Sequence, residues 1–142
     1  MELKELIKKI IDETDLRKQY NPDVAYNLRV PEKIYQKNLK KIKFKKTSIL
    51  TSCCYEFLYD DETREKCMNE INELNFSEKF KNEPVVLMNI SIKKKLHTKI
   101  KDEAKKIGTT TLKLYEQIWY LYLSQKINFK LLKVEFLNLK SI

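Results

Sequence analysis

Two short segments of the chain, residues 24–30 and 86–92, have an apolar residue at every second position. This period is typical of a β-strand with one buried face, because successive side chains of a strand point to opposite sides. The intervening residues would form an exposed face, with Asn27 and Asn89 at equivalent places in the two segments. The residues of this face are Ala25, Asn27 and Arg29 in the first segment, and Leu87, Asn89 and Ser91 in the second.

After each segment the apolar spacing changes to the 3.6-residue period of a helix. The apolar residues after the second segment are Leu96, Ile100, Ala104 and Ile107, and the less regular set after the first is Ile34, Leu39 and Ile42. Pro31 stands where the first of these helices would begin, a position at which its missing N–H costs nothing. Gly108, the single glycine of the chain, stands where the second would end in a left-handed cap.

A second helix is predicted in each copy, directly after a group of hydroxyl side chains. Thr47 and Ser48 in the first copy, and residues 109–111 in the second, are suitable N-cap residues. The apolar residues that follow recur at i, i+1, i+4 and i+5 in both copies. They are Ile49, Leu50, Cys53, Cys54, Phe57 and Leu58, and then Leu114, Tyr115, Ile118, Trp119, Leu121 and Tyr122.

The chain therefore contains two strand–helix–helix units about 62 residues apart, which we place at residues 24–59 and 86–125. Residues 1–20 are predicted as an amphipathic helix, and residues 60–85 as an acidic linker with a short helix near Thr63 to Leu74. Residues 126–142 form an apolar tail, for which burial on another chain is slightly favoured over burial on its own. The expected fold is mainly α with a short antiparallel β-ribbon. Whether the strands pair within one chain or between two stays open.

Positive charge lies in two blocks. The net charge is +9, and residues 32–46 hold seven Lys against one Glu, while residues 93–106 hold seven Lys against Asp102 and Glu103. Residues 60–83 between them hold eight acidic residues against four basic ones. Two separated basic blocks suit a polyanion that is contacted twice, although lysines that only solvate helix faces would give the same pattern.

Several other functions are disfavoured by the sequence. No apolar run approaches the roughly 18 residues that a membrane span needs, and the N-terminus lacks the apolar core of a signal peptide, so a cytoplasmic protein is expected. Cys53, Cys54 and Cys67 lack zinc-type spacing, which favours reduced and mostly buried thiols. His97, the single histidine, is expected at the surface or near a phosphate, and Trp119, Tyr120 and Tyr122 are expected in the core. We predict no enzyme activity, no metal and no cofactor.

A single seven-residue strand with one apolar face is not stable alone, so the two strands are expected to pair. An antiparallel ribbon of this width fits the major groove of B-form DNA. Asparagine then suits adenine, arginine suits guanine, and a small or apolar side chain suits the thymine methyl group.

The segment Tyr26-Asn27-Leu28-Arg29-Val30-Pro31-Glu32 resembles the ribbon and first-helix start of the Arc/MetJ-type ribbon-helix-helix DNA-binding family. The junction Gly108-Thr109-Thr110 resembles the turn between that family's helices. The resemblance implies a ribbon in the major groove, with base contacts from Ala25, Asn27, Arg29, Leu87, Asn89 and Ser91. It also implies phosphate contacts at the start of the second helices, from Thr47, Ser48, Thr109 and Thr110, with Lys45, Lys46 and Lys93 nearby.

The sequence departs from this family in two respects. Leu87 and Ser91 stand where stronger base-contacting residues are usual, and the chain carries two units where members usually carry one and dimerise. The expected function is sequence-specific binding of double-stranded DNA, as a transcriptional repressor or as an accessory factor at a plasmid or phage DNA site. A homodimer is a further candidate assembly, and neither a membrane nor a small-molecule substrate is expected. The alternative is a non-enzymatic helical adaptor whose basic faces bind an acidic protein.

Overall fold

A computed structural model describes residues 2–14, 23–42, 45–74 and 82–134 of the chain. Helix α1 is followed by strand β1, helices α2, α3 and α4, strand β2, helices α5 and α6, and a short 3-10 helix. Their bounds are α1 Leu3–Thr14, β1 Asp23–Pro31, α2 Glu32–Ile42, α3 Lys46–Tyr59, α4 Asp61–Glu73, β2 Val85–Lys93, α5 Lys94–Ile107, α6 Thr111–Leu123 and the 3-10 helix Lys130–Val134. The described chain is thus mainly helical, with two strands.

Strands β1 and β2 pair antiparallel within the one chain. Their register places Asn27 opposite Asn89 at the centre, and Asp23 opposite Lys93 at one end. The pairing confirms the predicted ribbon and answers the question that the sequence left open, because both strands come from the same molecule. The two helix pairs, α2 with α3 and α5 with α6, leave the ribbon from opposite ends.

The inner face of the ribbon lies on the helices. Val24, Tyr26 and Val86 of this face are half-buried, and its other five side chains, Leu28, Val30, Met88, Ile90 and Ile92, are at most 3% exposed. These five belong to one apolar cluster that includes residues of both strand–helix–helix units. Since a two-stranded sheet is marginal by itself, this burial is what allows the ribbon to persist.

Helices α3 and α6 form the centre of the core. Residues 49–57 of α3 are all buried, and Leu114, Tyr115, Ile118 and Trp119 of α6 are each at most 1% exposed. Helix α3 contacts α1, α4, α5, α6 and the 3-10 helix. A helix that is covered on every side is buried on every side, and α3 therefore also buries the polar residues Thr51, Ser52 and Glu56. Trp119 and Tyr120 are buried as predicted, and the half-buried ring of Tyr122 stacks on Trp119.

The terminal segments cover this core. Leu6 and Ile10 of the amphipathic helix α1 are fully buried, and α1 contacts α3. Ile127, Phe129 and Leu131 of the tail are buried in the same cluster. The tail is therefore covered by its own chain as far as the structure describes it. Residues 135–142, with Phe136 and Leu139, lie outside the described residues, as do residues 15–22.

The predicted end of α5 is confirmed, and the predicted starts of α2, α3 and α4 need correction. Gly108 ends α5 with φ 89°, and the N–H of Thr109 donates to the carbonyl of Ala104 at 2.9 Å, as in a Schellman cap. Pro31 is the last residue of β1, opposite Val85, so α2 begins one residue later than predicted. The linker helix α4 begins at Asp61, two residues before the predicted start.

Thr47 and Ser48 are wrong as N-caps. The N-cap of α3 is Lys45, with no capping bond from its side chain, and Thr47 and Ser48 lie within the first turn. A run of four lysine and hydroxyl residues, 45–48, does not by itself specify which of them stands at the N-cap.

The three cysteines are free thiols in the interior. Burial raises the pKa of Cys53 and Cys54 well above the usual thiol range, and raises that of Cys67 to about 12. Since the thiolate is the reactive form, these side chains act as small apolar residues, as the sequence predicted.

A buried polar cluster joins α3, α4 and the tail. Thr63 Oγ1 lies 2.6 Å from Glu56 Oε2 and 2.6 Å from Asp60 Oδ2, and Glu56 Oε1 accepts the N–H of Leu131 at 2.8 Å. Lys130 Nζ lies 3.0 Å from Asp60 Oδ2. A hydroxyl has one proton to donate, so a protonated Glu56 satisfies both contacts of Thr63.

The pKa values of the two carboxyls shift in opposite directions. Burial raises the pKa of Glu56. Burial also acts to raise the pKa of Asp60, but hydrogen bonds from Thr63 and Lys130 outweigh it, and the pKa of Asp60 is lowered. The cluster therefore favours a neutral Glu56 beside an ionised Asp60.

We predict that Glu56→Gln changes the pH dependence of stability. Because the folded-state pKa of Glu56 is raised, its stabilising contribution is full below the unfolded value of about 4.3 and is lost as pH rises through the folded value. Glutamine keeps the donor and acceptor of the protonated acid without titrating. The free energy of unfolding of the variant, minus that of the wild type, should rise with pH across this interval, with a slope of at most about 1.4 kcal/mol per pH unit.

Denaturant titrations between pH 3 and pH 8 measure this difference. Glu65→Gln, which removes an exposed carboxylate from the neighbouring helix α4, controls for the loss of one negative charge. A difference that falls as pH rises would contradict the assignment of Glu56.

Candidate nucleic-acid interface

The outer face of the ribbon brings together all six residues that were predicted to contact bases. They form three cross-strand pairs, which are Ala25 with Ser91, Asn27 with Asn89, and Arg29 with Leu87. Five of them are exposed, Leu87 by 69%, and Ser91 is half-buried. The alternation of the sequence is sufficient to predict this face, because a strand with one side in the core must present the other side outward.

The central pair is hydrogen bonded. Asn89 Nδ2 donates to Asn27 Oδ1 at 3.1 Å. This bond holds the two amides side by side and leaves the Nδ2 donors of Asn27 and the Oδ1 acceptor of Asn89 directed to solvent. A donor and an acceptor at adjacent positions match the N7 and N6 groups that adenine presents in the major groove.

Arg29 is held by a carboxylate of α6. Its Nε donates to Glu116 Oε2 at 3.0 Å, and its Nη2 donates to Glu116 Oε1 at 3.0 Å. The backbone N–H of Arg29 also donates to Glu116 Oε2, at 2.7 Å. The hydrogen bonds that Arg29 donates to Glu116, together with the negative charge of Glu116, raise the pKa of Arg29. Glu116 therefore joins the free edge of β1 to the helix beneath it.

No sequence pattern singled out Glu116, the residue of α6 whose carboxylate holds Arg29. It is 93% buried as a side chain, on a helix that is otherwise nearly apolar. A lone carboxylate within an apolar helix is a signal that a cationic partner is needed. The position of that partner, 87 residues earlier in the chain, depends on the fold.

His97 is half-buried and packs against the ribbon and α6. Its Nδ1 is 3.1 Å from the hydroxyl of Tyr115, and its ring centroid is 5.3 Å from that of Tyr26. Burial, with a smaller effect of Lys101, lowers the pKa of His97. The imidazole is thus a packing group that is neutral at pH 7, and it is only partly exposed where a surface or phosphate-side histidine was predicted.

The residues predicted to contact phosphates lie at the starts of α3 and α6 and at the end of β2. Thr110 is the N-cap of α6, and its Oγ1 accepts the N–H of Lys113 at 3.2 Å, while Thr109 lies beside it. Lys45, Lys46, Thr47 and Ser48 surround the first turn of α3. Lys93 forms an ion pair with Asp23 across the end of the ribbon, 2.9 Å apart, which reduces its value for binding an anion.

The lysine blocks cover the first helix of each unit. The lysines of α2 are exposed, and so are those of α5. Because α2 follows β1 and α5 follows β2, and the strands are antiparallel, the two lysine-bearing helices begin at opposite ends of the ribbon. A lysine-bearing helix therefore begins at each end of the ribbon, with Lys33 in the first turn of α2 and Lys94 and Lys95 in the first turn of α5.

Two other kinds of site are not found in the part of the chain that the structure describes. Within the described ranges, no group of three or more His, Cys, Asp or Glu residues is arranged to hold a metal ion. No helix among the described residues has both the length and the apolar character needed to cross a bilayer.

Comparisons of the chain with protein-family models, with curated proteins and with solved structures give no match. What supports a function for this chain is therefore its own geometry.

We predict that Thr110→Ala lowers the free energy of unfolding by about 1 kcal/mol, because it removes the side-chain acceptor from the first turn of α6. Ser48→Ala is the matched control, since Ser48 lies in the first turn of α3 and does not cap it; its effect should stay within about 0.5 kcal/mol. Denaturant titration of both variants measures this. Equal losses would mean that the two helix starts are capped alike.

Proposed function

We propose that this protein binds double-stranded DNA in a sequence-specific manner, with the ribbon of β1 and β2 in the major groove. In this proposal the chain is a tandem ribbon-helix-helix protein, whose units at residues 24–59 and 86–125 share one ribbon and one core. Double-stranded DNA is its partner, and its role is that of a transcriptional repressor or of an accessory factor at a plasmid or phage DNA site.

The observation that carries the proposal is the outer face of the ribbon. Three adjacent cross-strand pairs present amide, guanidinium and apolar groups on one exposed surface. A major groove about 12 Å wide admits a two-stranded ribbon, and these groups are the ones that distinguish base pairs there.

The charge distribution supports the same orientation. The helices α2 and α5, whose lysines are exposed, begin at opposite ends of the ribbon, while eight acidic residues lie within residues 60–83. Phosphates on either side of the groove would meet these lysines and the helix start at Thr110, where free N–H groups and the helix dipole favour an anion. Base contacts then supply specificity, and phosphate contacts supply most of the affinity.

Selection of bound duplexes from a random pool tests the proposal. We expect a recovered motif, and we expect Asn27→Ala to weaken binding to that motif by about 1–3 kcal/mol while changing binding to random duplex little, because the Asn27 amide contacts a base and not a phosphate. Asn69→Ala, which removes an amide from α4, away from the ribbon, is the matched control and should leave both affinities unchanged. Equal losses on motif and random duplex would contradict base contact by the ribbon.

The salt dependence tests the phosphate contacts. Replacing Lys45 and Lys46 by Gln should reduce the slope of log K against log salt by about 0.9 for each phosphate that the variant no longer neutralises. Lys66→Gln, an exposed lysine on α4 paired with Glu62 at 3.1 Å, should leave the slope unchanged. An adaptor for an acidic protein would show no preference for duplex DNA at all, and this outcome would exclude the proposal.

A further inference from the structure

We infer that the ribbon recognises a non-palindromic DNA sequence, with Arg29 contacting a guanine on one side of the central Asn pair and Glu116 acting as the positioning residue for its guanidinium. This inference rests on the proposed function and adds the kind of sequence that is bound. It follows from three features of the outer face.

The first feature is the difference between the two ends of the ribbon. On one side of the Asn27 and Asn89 pair stand Arg29 and Leu87, and on the other side stand Ala25 and Ser91. A ribbon formed by two identical chains would carry the same residues at both ends, because the symmetry axis passes through its centre. Here the two strands are segments of one chain and differ in sequence. The paired backbones are therefore related by an approximate two-fold axis that the side chains do not follow.

The second feature is the distance along the ribbon from the central Asn pair to the cross-strand pair on either side of it. Side chains two residues apart on a strand are separated by about 6.7 Å, which corresponds to about two base pairs of B-form DNA. The contacts of Arg29 and Leu87 would therefore fall about two base pairs from the contacts of the central amides. The opposite end offers a methyl group and a half-buried hydroxyl, which discriminate weakly between bases.

The third feature is the way in which Glu116 holds Arg29. The carboxylate accepts from Nε and Nη2, along one side of the guanidinium. The pair does not use the two N–H groups of Nη1 or the second N–H of Nη2. These groups lie at the far end of the planar guanidinium. Guanine O6 and N7 can accept from the N–H groups of Nη1 and Nη2 at this end of the guanidinium. The ion pair and the base contact therefore use different hydrogens.

The pair also fixes the direction of the side chain. Glu116 is 93% buried and cannot move far, whereas the Arg29 side chain is 55% exposed and would otherwise sample many rotamers. A side chain that is already oriented loses less entropy when it binds, which favours affinity and geometric selectivity. Leu87, exposed by 69% beside it, provides an apolar contact suited to a thymine methyl group at the same end.

The test measures discrimination, defined as the affinity for the selected duplex divided by the affinity for the same duplex with the guanine-bearing pair changed to A·T. We expect the selected motif to lack dyad symmetry and to contain a G·C pair about two base pairs from its centre. The wild type should discriminate by about 10-fold or more, as one bidentate contact allows. Glu116→Gln and Arg29→Lys should each remove most of this factor, and the double variant should remove no more than either alone.

The controls separate positioning from folding. Glutamine keeps an acceptor for the backbone N–H of Arg29, and lysine keeps the charge of an exposed side chain while losing the fork. Thermal unfolding followed by circular dichroism checks both variants. If Glu116→Gln failed to fold, Arg29→Lys would test the guanine contact with the same duplexes, and its loss of discrimination would still be required.

The outcomes are distinguishable. A palindromic motif, or discrimination that is unchanged or higher in Glu116→Gln, would overturn this inference while leaving sequence-specific DNA binding intact. Higher discrimination in that variant would mean that the carboxylate masks Arg29 instead of orienting it. Failure to recover any motif would overturn the proposed function and this inference together.

Discussion

The structure depends on the burial of one face of a two-stranded ribbon against helices of the same chain. Two strands alone expose too much backbone and apolar surface to be stable. Leu28, Ile90 and Ile92 remove this surface from water by packing in the cluster that α3 and α6 form. Successive side chains of a strand point to opposite faces, so burial of the inner face also determines which side chains stand outward. The opposed pair Asn27 and Asn89 is at the centre of that outward set. The candidate interface is thus a direct consequence of the core.

Both strand–helix–helix segments of the chain take part in this burial. Neither strand can pair without the other, and residues of both units contribute to a single apolar cluster. The consequence for function is that the two halves of the ribbon are free to differ in sequence. The Arg29 and Leu87 end and the Ala25 and Ser91 end then offer different chemistry to a groove, which identical chains could not do.

Two buried carboxylates connect distant parts of the chain, each by a different means. Glu116 is paired with a cation and with the backbone of β1, so its charge is compensated. Glu56 accepts the N–H of Leu131 and lies beside Thr63 and Asp60, where burial raises its pKa and favours the neutral acid. Both arrangements satisfy the rule that a buried polar group must have partners. One supports the interface, and the other fixes the tail on the core.

The sequence by itself determined the features that depend on near neighbours. The period of two in residues 24–30 and 86–92 predicted both strands and the outer face, and Gly108 and Thr110 marked the junction of α5 and α6. Only the tertiary structure decided that the strands pair within one chain, that His97 packs beneath Tyr26, and that Glu116 holds Arg29. The physical reason is that periodicity and capping act over a few residues, whereas these contacts join residues 62 to 87 positions apart in the chain. Their geometry follows from how the helices pack together, which no local pattern specifies.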